Sequence, residues 1–240
     1  MKITKYLIIL ILTIGCKNLN ENDEKASKET QNIKGNRGAE ADSLFMEMIN
    51  NKIITKPEEK KYISDIEKLK SVKLINCDSM SIHYKDLIDG KEIELKLSLK
   101  KFEKKNHNIK YRIHEESKYQ DCELIDGKEP WGGYYGCPET EIENLEIFVN
   151  GNPIEMEEEL RDVFDFQMCD NGHWKHFNPN PLLKYDKENG VFYLYTNGGQ
   201  AADNYFGKFV FDENKFITRY LLDYVPLSKT GSFRQSFKGF

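Results

Sequence analysis

The segment Glu92–Lys100 alternates apolar and polar residues without a break. Because successive side chains of an extended strand point to opposite faces, its apolar residues share one face and its polar residues the other. The same order would scatter the apolar residues around a helix, whose period is 3.6 residues. The segment therefore predicts a β-strand with one wet face and one buried face, the latter carrying Ile93, Leu95, Leu97 and Leu99.

Turn dipeptides divide the rest of the body into further strands. Asp89-Gly90 predicts a tight link back to a strand near Ser81–Leu87. Asn150-Gly151 predicts a second hairpin, because this dipeptide tolerates the positive φ angles of a type I′ turn. After a polar turn, Ile109–Ile113 alternates again and predicts a hairpin with Glu92–Lys100.

The C-terminal third predicts two more hairpins. Their strands carry apolar residues on both faces, which is typical of central strands that are covered on both sides. The paired segments are Lys184–Tyr185 with Val191–Tyr195, and Phe206–Phe211 with Phe216–Val225.

Helices are predicted before the sheet and within it. A first helix carries apolar residues at helical spacing, namely Leu44, Phe45, Met48, Ile49 and Ile53. A second begins at the capping box Thr55 and Glu58 and runs to about Lys70; its apolar face would cover the sheet or, alternatively, dock a partner. Glu157–Phe166 predicts a third, short helix. The predicted fold class is therefore α+β, a mostly antiparallel β-sheet with two N-terminal helices and one short helix after the central hairpin, in a single domain spanning residues 43–240.

The first fifteen residues have the composition of an export signal. Lys2 and Lys5 precede an apolar run, Tyr6–Ile14, and the small residue Gly15 stands before Cys16. The run is about half the ~20 residues that a membrane-spanning helix needs, so it predicts a signal-peptide core.

The end of this segment, Leu12-Thr13-Ile14-Gly15-Cys16, resembles the lipobox of bacterial lipoproteins. It departs from the family pattern at Thr13, where leucine is usual. The resemblance implies cleavage before Cys16, acyl chains such as palmitate on that cysteine, and a lipid-anchored protein in the cell envelope, facing the periplasm or the cell surface. The alternative is an ordinary secretory signal with a chance cysteine.

Residues 16–42 predict a lipidated cysteine followed by a flexible tether. Leu19 and Ile33 are the only large apolar residues after Cys16 in this range, too few to offset the conformational entropy of folding. The whole chain carries a formal charge of −5. An acidic chain without an arginine-rich stripe is a poor match to phosphate backbones, so nucleic acid is disfavoured as a partner.

Four cysteines remain once Cys16 is assigned to lipid, and an even number in an exported chain predicts two disulfides. Counting outward from the Asn150-Gly151 hairpin favours the pairs Cys137–Cys169 and Cys77–Cys122. The alternative is that some of them stay buried as thiols, which behave as small hydrophobic side chains.

The last 120 residues resemble a loose group of small exported β-rich bacterial proteins without an established activity. The resemblance depends on Pro130-Trp131-Gly132-Gly133, on Pro138-Glu139-Thr140-Glu141 before a strand with an Asn-Gly turn, and on Gly198-Gly199 before Tyr205 and the hairpin Lys208–Tyr220. It implies an architecture and no chemistry.

Catalytic and metal-binding motifs are weak. Cys169, His173 and His176 have spacings that suit zinc, but a structural site needs a fourth ligand and Cys169 is better used in a disulfide. No serine nucleophile elbow, zincin motif or phosphate-binding glycine loop is present. We therefore predict no metal and no cofactor. Acidic pairs such as Glu115-Glu116 would support glycoside hydrolysis only if they faced each other across a cleft.

The most suggestive loop places aromatic residues among glycines and a proline. Trp131, Tyr134 and Tyr135 are candidate binding residues, because exposed aromatic faces bind sugars, peptides and flat ligands. A second, polar loop with Asn197, Gln200 and Asn204 is the candidate opposite lip. The alternative is that Trp131 and one tyrosine fold back and close the end of the sheet.

These observations predict a membrane-anchored lipoprotein whose non-enzymatic domain binds a protein or glycan partner. The partner would be another envelope protein, an incoming toxin in an immunity role, or a glycan. The alternatives are a lipid-anchored hydrolase acting on cell wall or polysaccharide, and a purely structural envelope component.

Overall fold

Thirteen strands and one short α-helix form in the residues that the computed structural model describes, which are 62, 68–113, 120–132, 136–169, 181–199, 205–223 and 235–239. All pairings between these strands are antiparallel. The mostly antiparallel β architecture predicted from the sequence is confirmed. The two N-terminal helices predicted before Ser71 fall, apart from Tyr62 and residues 68–70, outside the described residues.

The larger sheet has six strands, and its hairpins follow the predicted order along the chain. Its spatial order is β1-β9-β10-β11-β12-β13. The strands are β1 (Lys70–Ser71), β9 (Leu182–Asp186), β10 (Val191–Gly198), β11 (Tyr205–Phe211), β12 (Phe216–Asp223) and β13 (Gln235–Gly239).

A second sheet of five strands packs against the first. Its order is β2-β3-β4-β7-β8, with β2 (Leu74–Cys77), β3 (Ser81–Ile88), β4 (Lys91–Lys101), β7 (Thr140–Val149) and β8 (Asn152–Pro153). The strand predicted from the unbroken alternation is β4, and its four apolar residues are at most 5% exposed. The positive φ angles of Asp89 and Gly90, and of Asn150 and Gly151, form the two turns that the dipeptides predicted.

A separate two-stranded sheet corrects one predicted hairpin. β5 (Ile109–Ile113) pairs with β6 (Gln120–Ile125), not with β4. The edges of β4 are already occupied by β3 and β7. Alternation along a segment indicates that it is a strand, but it does not specify the partner, and here β5 pairs with the strand that follows it and not with the one that precedes it.

The main core lies between the two larger sheets. Ile93, Leu95 and Val149 of the five-stranded sheet face Phe192, Leu194, Phe209 and Leu221 of the six-stranded sheet, in one cluster of buried residues. The other face of β10 and β11 is also buried, since Tyr193 and Lys208 are 0% exposed. The Lys208 Nζ lies 4.5 Å from the centre of the Tyr193 ring. The prediction of central strands covered on both sides is therefore confirmed.

The helix predicted over Glu157–Phe166 is shorter than expected. Only Glu157–Leu160 is helical, and we call it α1. Asp165 has a φ of 51°, a conformation that no α-helix accommodates. Its carboxylate Oδ1 instead accepts hydrogen bonds from the backbone N–H groups of Glu139 and Thr140, at 2.9 and 2.8 Å. The helix therefore does not continue through Asp165 to Phe166, although the sequence predicted that it would.

The four cysteines form two disulfides, as expected, but the predicted pairing is wrong. The bonds are Cys77–Cys169 and Cys122–Cys137, with Cα atoms 5.7 and 4.9 Å apart. The chain before Thr140 does not continue the hairpin outward toward Cys169. It turns instead alongside β6, where the Cys122 N–H donates to the Gly136 carbonyl oxygen at 3.0 Å, and this brings Cys137 to Cys122.

Helical segments are few and short in the described ranges. None of the helical segments there has the length and apolar composition needed to cross a bilayer. The predicted signal segment, residues 1–15, and Cys16 lie outside them.

Candidate functional site

A cleft of about 440 Å³ opens between the small β5–β6 sheet and the wall formed by β7 and α1. Apolar and charged side chains both line it. Its lining residues are His107, Ile125, Asp126, Lys128, Glu141, Ile142, Glu143, Asn144, Leu145, Glu157, Glu158, Leu160, Arg161, Val163 and Phe164. A concave site that combines apolar walls with a few polar groups is the usual form of a ligand pocket.

A small satellite core supports one side of the cleft. Phe102, Cys122, Ile125 and Phe164 pack together there, with Ile109 and Cys137 partly buried against them. The Cys122–Cys137 disulfide therefore holds this satellite core together. Because the β5–β6 sheet shares no strand pairing with the larger sheets, these contacts determine where that side of the cleft lies.

His107 enters the cleft from the end of a single 3-10 turn, Lys104–Asn106. Its ring stacks on Phe102 with centroids 4.6 Å apart and an interplanar angle of 15°. Its Nδ1 lies 2.7 Å from Oδ2 of Asp126, whose other oxygen accepts the Asn108 backbone N–H at 2.8 Å. The hydrogen bonds from His107 and then from Asn108 lower the pKa of Asp126 below its ordinary value.

Glu141 on β7 faces the other nitrogen of the same ring. Its Oε2 lies 2.9 Å from His107 Nε2, and Glu141 as a whole is 8% exposed. This contact is an ion-pair contact and not a hydrogen bond, since Nε2 is buried without a hydrogen-bond partner, and the second carboxylate oxygen, Oε1, is likewise buried without one. The nearest cation, Lys100 Nζ, is 3.7 Å from Oε1. The imidazole therefore lies between two carboxylates, one of which has incomplete hydrogen bonding.

A β-bulge determines which way Glu141 points. The register between β4 and β7 pairs Leu99 with Ile142 and Ser98 with Asn144, so Glu143 is the extra residue. Ile142 and Leu145, three positions apart, both pack on the main core. A regular strand would place them on opposite faces, and the extra residue brings them to one. Glu141 therefore lies on the opposite face of β7, toward His107.

The cleft carries an excess of negative charge. Five carboxylates line it, against the two permanent cations Lys128 and Arg161. Arg161 is engaged locally, since its Nη2 lies 2.6 Å from Oε1 of Glu158. The field inside the cleft therefore favours positively charged groups.

The aromatic loop proposed from the sequence does not supply Trp131 as a contact residue. Trp131 is 3% exposed and belongs to the main core. Its backbone N–H donates to the Asp162 carbonyl oxygen at 2.8 Å, and its ring lies edge-on to Tyr205. Trp131 thus closes the end of the sandwich, as the alternative interpretation predicted, while Tyr134 and Tyr135 lie outside the described residues.

The predicted polar lip is described only in part. Asn197 is 7% exposed, and its Nδ2 donates to the Gln167 side-chain oxygen at 3.1 Å, so it supports the neighbouring loop internally. Gln200 and Asn204 lie outside the described residues, as do His173 and His176 of the zinc-like cluster. Cys169 of that cluster is bonded to Cys77.

His107 and Glu141 were missed in the sequence. One signal was present: the apolar residues Ile142 and Leu145 interrupt the period-2 pattern of β7, which indicates a bulge. No local sequence pattern predicts that His107, in the turn after β4, lies next to Glu141 on β7.

Over the described ranges, no three or more His, Cys, Asp or Glu side chains are grouped so as to hold a metal ion. No protein-family model matches the chain, and no curated protein or solved structure is significantly similar to it.

Proposed function

We propose that this chain is an exported lipoprotein, anchored through Cys16, whose β-sandwich binds a partner outside the cytoplasm without chemistry. The signal-like order of Lys2, Lys5, Tyr6–Ile14 and Gly15 supports export and lipidation. The two disulfides support the same destination, because disulfides persist in oxidising compartments. In this proposal residues 16–42 form the tether between the lipid and the domain.

The observation that carries the binding function is the acidic cleft around His107. A buried carboxylate with incomplete hydrogen bonding lowers the stability of the folded state. A residue whose only role is packing would not need such a group. Glu141 is such a carboxylate, and it lies beside a concave space rather than inside the main core. The partner is therefore expected to contact this cleft, whether it is an envelope protein, an incoming toxin or a glycan.

The anchor is tested by cell fractionation of the wild type and of Cys16→Ser. Two or more acyl chains hold a protein stably on a membrane, whereas one is marginal. We expect the wild type in the membrane fraction and the variant in the soluble exported fraction. Equal membrane retention of both forms would contradict the lipoprotein proposal.

Binding is tested by capture from envelope extract and conditioned medium on the immobilised chain. Glu141→Gln and His107→Ala are the test variants, and Glu146→Gln, on an exposed part of the same strand outside the cleft, is the matched control. Loss of the captured species with the cleft variants alone supports the proposal. Capture that is unchanged by both cleft variants would contradict it.

A lipid-anchored hydrolase is the second candidate, and one observation favours it. Asp126 orients the His107 ring through Nδ1, as the carboxylate of a general-base pair does. None of the described residues that line the cleft is Ser, Thr or Cys, so His107 acting as a general base would activate water and not a hydroxyl or thiol side chain. Release of soluble fragments from purified cell wall by the wild type, abolished in His107→Ala, would establish this candidate over the first.

A further inference from the structure

We infer that the cleft between the β5–β6 sheet and β7 receives a positively charged organic group, a primary ammonium or a guanidinium. The group is carried either by a small amine or by a basic side chain of a protein partner. This inference rests on the proposed binding function and specifies the chemistry that the cleft recognises.

Charge is the first argument. Glu143 and Glu158 are exposed at the rim, where a ligand reaches their oxygens directly. Of the two permanent cations that line the cleft, Arg161 is already paired with Glu158 at 2.6 Å, and Lys128 is the other, so the carboxylates outnumber the cations. Because opposite charges at the rim raise the local concentration of a ligand and like charges reject it, the rim selects for cations.

The base of the cleft provides an independent second argument. Glu141 is 8% exposed, lines the cleft and has an Oε1 atom without a hydrogen-bond donor. The Lys100 amine, 3.7 Å away, lies beyond hydrogen-bond distance. A buried carboxylate that lacks a donor is stabilised by the approach of a cation, because the low dielectric of its surroundings strengthens the attraction.

The shape of the cleft suits an ammonium or guanidinium that is attached to a short alkyl chain. Leu160, Val163 and Phe164 give the wall an apolar surface beside the carboxylates. Methylene groups of a lysine-like or arginine-like chain bury against such a surface while the charged end meets the acids. The apolar wall offers no ligand atoms to a bare metal ion, and the described residues provide no group of three His, Cys, Asp or Glu side chains that could hold one.

The test is a titration of the full exported chain, with both disulfides oxidised, followed by the NMR signals of the His107 ring. The probes are 1,5-diaminopentane, its neutral analogue 1,5-pentanediol, and a short peptide with one central lysine. We expect the diamine and the peptide to shift the His107 signals with a Kd on the order of 1 mM or tighter, and the diol to leave them unchanged. A peptide that binds at least about tenfold tighter than the diamine indicates a protein partner; equal affinities indicate a small amine.

Variants make the result specific to the cleft. Glu143→Gln and Glu158→Gln each remove one rim charge and should weaken diamine binding about two- to fivefold, as for exposed ion pairs. Glu146→Gln removes one charge from the same strand outside the cleft and should leave the affinity unchanged. Equal shifts from the diamine and the diol, the absence of any shift, or equal weakening by all three variants would overturn the inference. Those outcomes would leave the partner capture test standing, so the two failures are distinguishable.

Discussion

Arg219 of β12 forms a two-pronged ion pair with Asp162, with Nη1 donating to Oδ1 at 2.5 Å and Nη2 donating to Oδ2 at 2.7 Å. Both side chains are largely buried, at 5% and 13% exposure. The same Nη1 also donates to the Glu159 carbonyl oxygen at 2.5 Å. This pair ties the six-stranded sheet to the segment after α1, which forms one wall of the cleft.

Removing one partner of this pair should destabilise the protein strongly. Asp162→Ala leaves the buried guanidinium without its counter-charge, which typically costs about 3–5 kcal/mol. Replacing both partners, in Asp162→Ala with Arg219→Met, should recover part of that loss because no isolated buried charge remains. Urea unfolding of the three forms measures the difference. A double variant less stable than Asp162→Ala would contradict this account.

The two disulfides should contribute unequal amounts to stability. Cys122 and Cys137 are 15 residues apart, and Cys77 and Cys169 are 92 apart. Under the chain-entropy account, the short loop is worth about 3 kcal/mol and the long one between 4 and 5 kcal/mol. Urea unfolding of the paired Cys→Ser variants tests the order. Peptide mapping without reduction tests the pairing directly, and recovery of Cys137 joined to Cys169 would disprove it.

Asp165 should give the protein a stability that falls as the pH rises. Burial raises its pKa above the ordinary value, and the hydrogen bonds from Thr140 and Glu139 only partly oppose this. A carboxyl group with a raised folded pKa contributes its stability fully below the unfolded value of about 3.9 and loses it as the pH rises through the folded pKa. Each unit of pKa difference is worth about 1.4 kcal/mol.

Unfolding at several pH values compares the wild type with Asp165→Asn, which cannot titrate. The stability of the wild type relative to the variant should decline from about pH 4 upward. Glu155→Gln, which removes an exposed carboxylate, is the control for the loss of one negative charge. A relative stability of Asp165→Asn that is independent of pH would show that Asp165 is not perturbed.

Trp131→Ala should act on the fold and not on binding. Deletion of a buried aromatic side chain typically costs about 3–5 kcal/mol, and Trp131 is 3% exposed in the main core. We expect a marked decrease in melting temperature, with diamine binding preserved in the protein that remains folded. An unchanged melting temperature would indicate that Trp131 is not a core residue, and its loop would again be a candidate binding site.

The sequence determined the elements of the body. The strict alternation of β4, the Asp89-Gly90 and Asn150-Gly151 turns, and the apolar faces of β10 and β11 each depend on residues close together in the chain. Period-2 patterning and positive φ angles are local properties, and the strands appear where these patterns predicted them. The export of the chain, its lipid anchor and the helices before Ser71 remain predictions.

The tertiary structure decided which segments pair and which residues come into contact. The partner of β5, the anchoring of Asp165 after α1 and the pairing of Cys77 with Cys169 all depend on contacts between segments distant in the sequence. The same holds for the cleft, where His107 after β4, Asp126 after β6 and Glu141 on β7 converge. A hydrophobic pattern specifies which face of a segment is buried, but many arrangements of strands satisfy the same pattern. Packing, strand register and the bulge at Glu143 determine which of these arrangements forms. That arrangement brings the residues of the candidate site together.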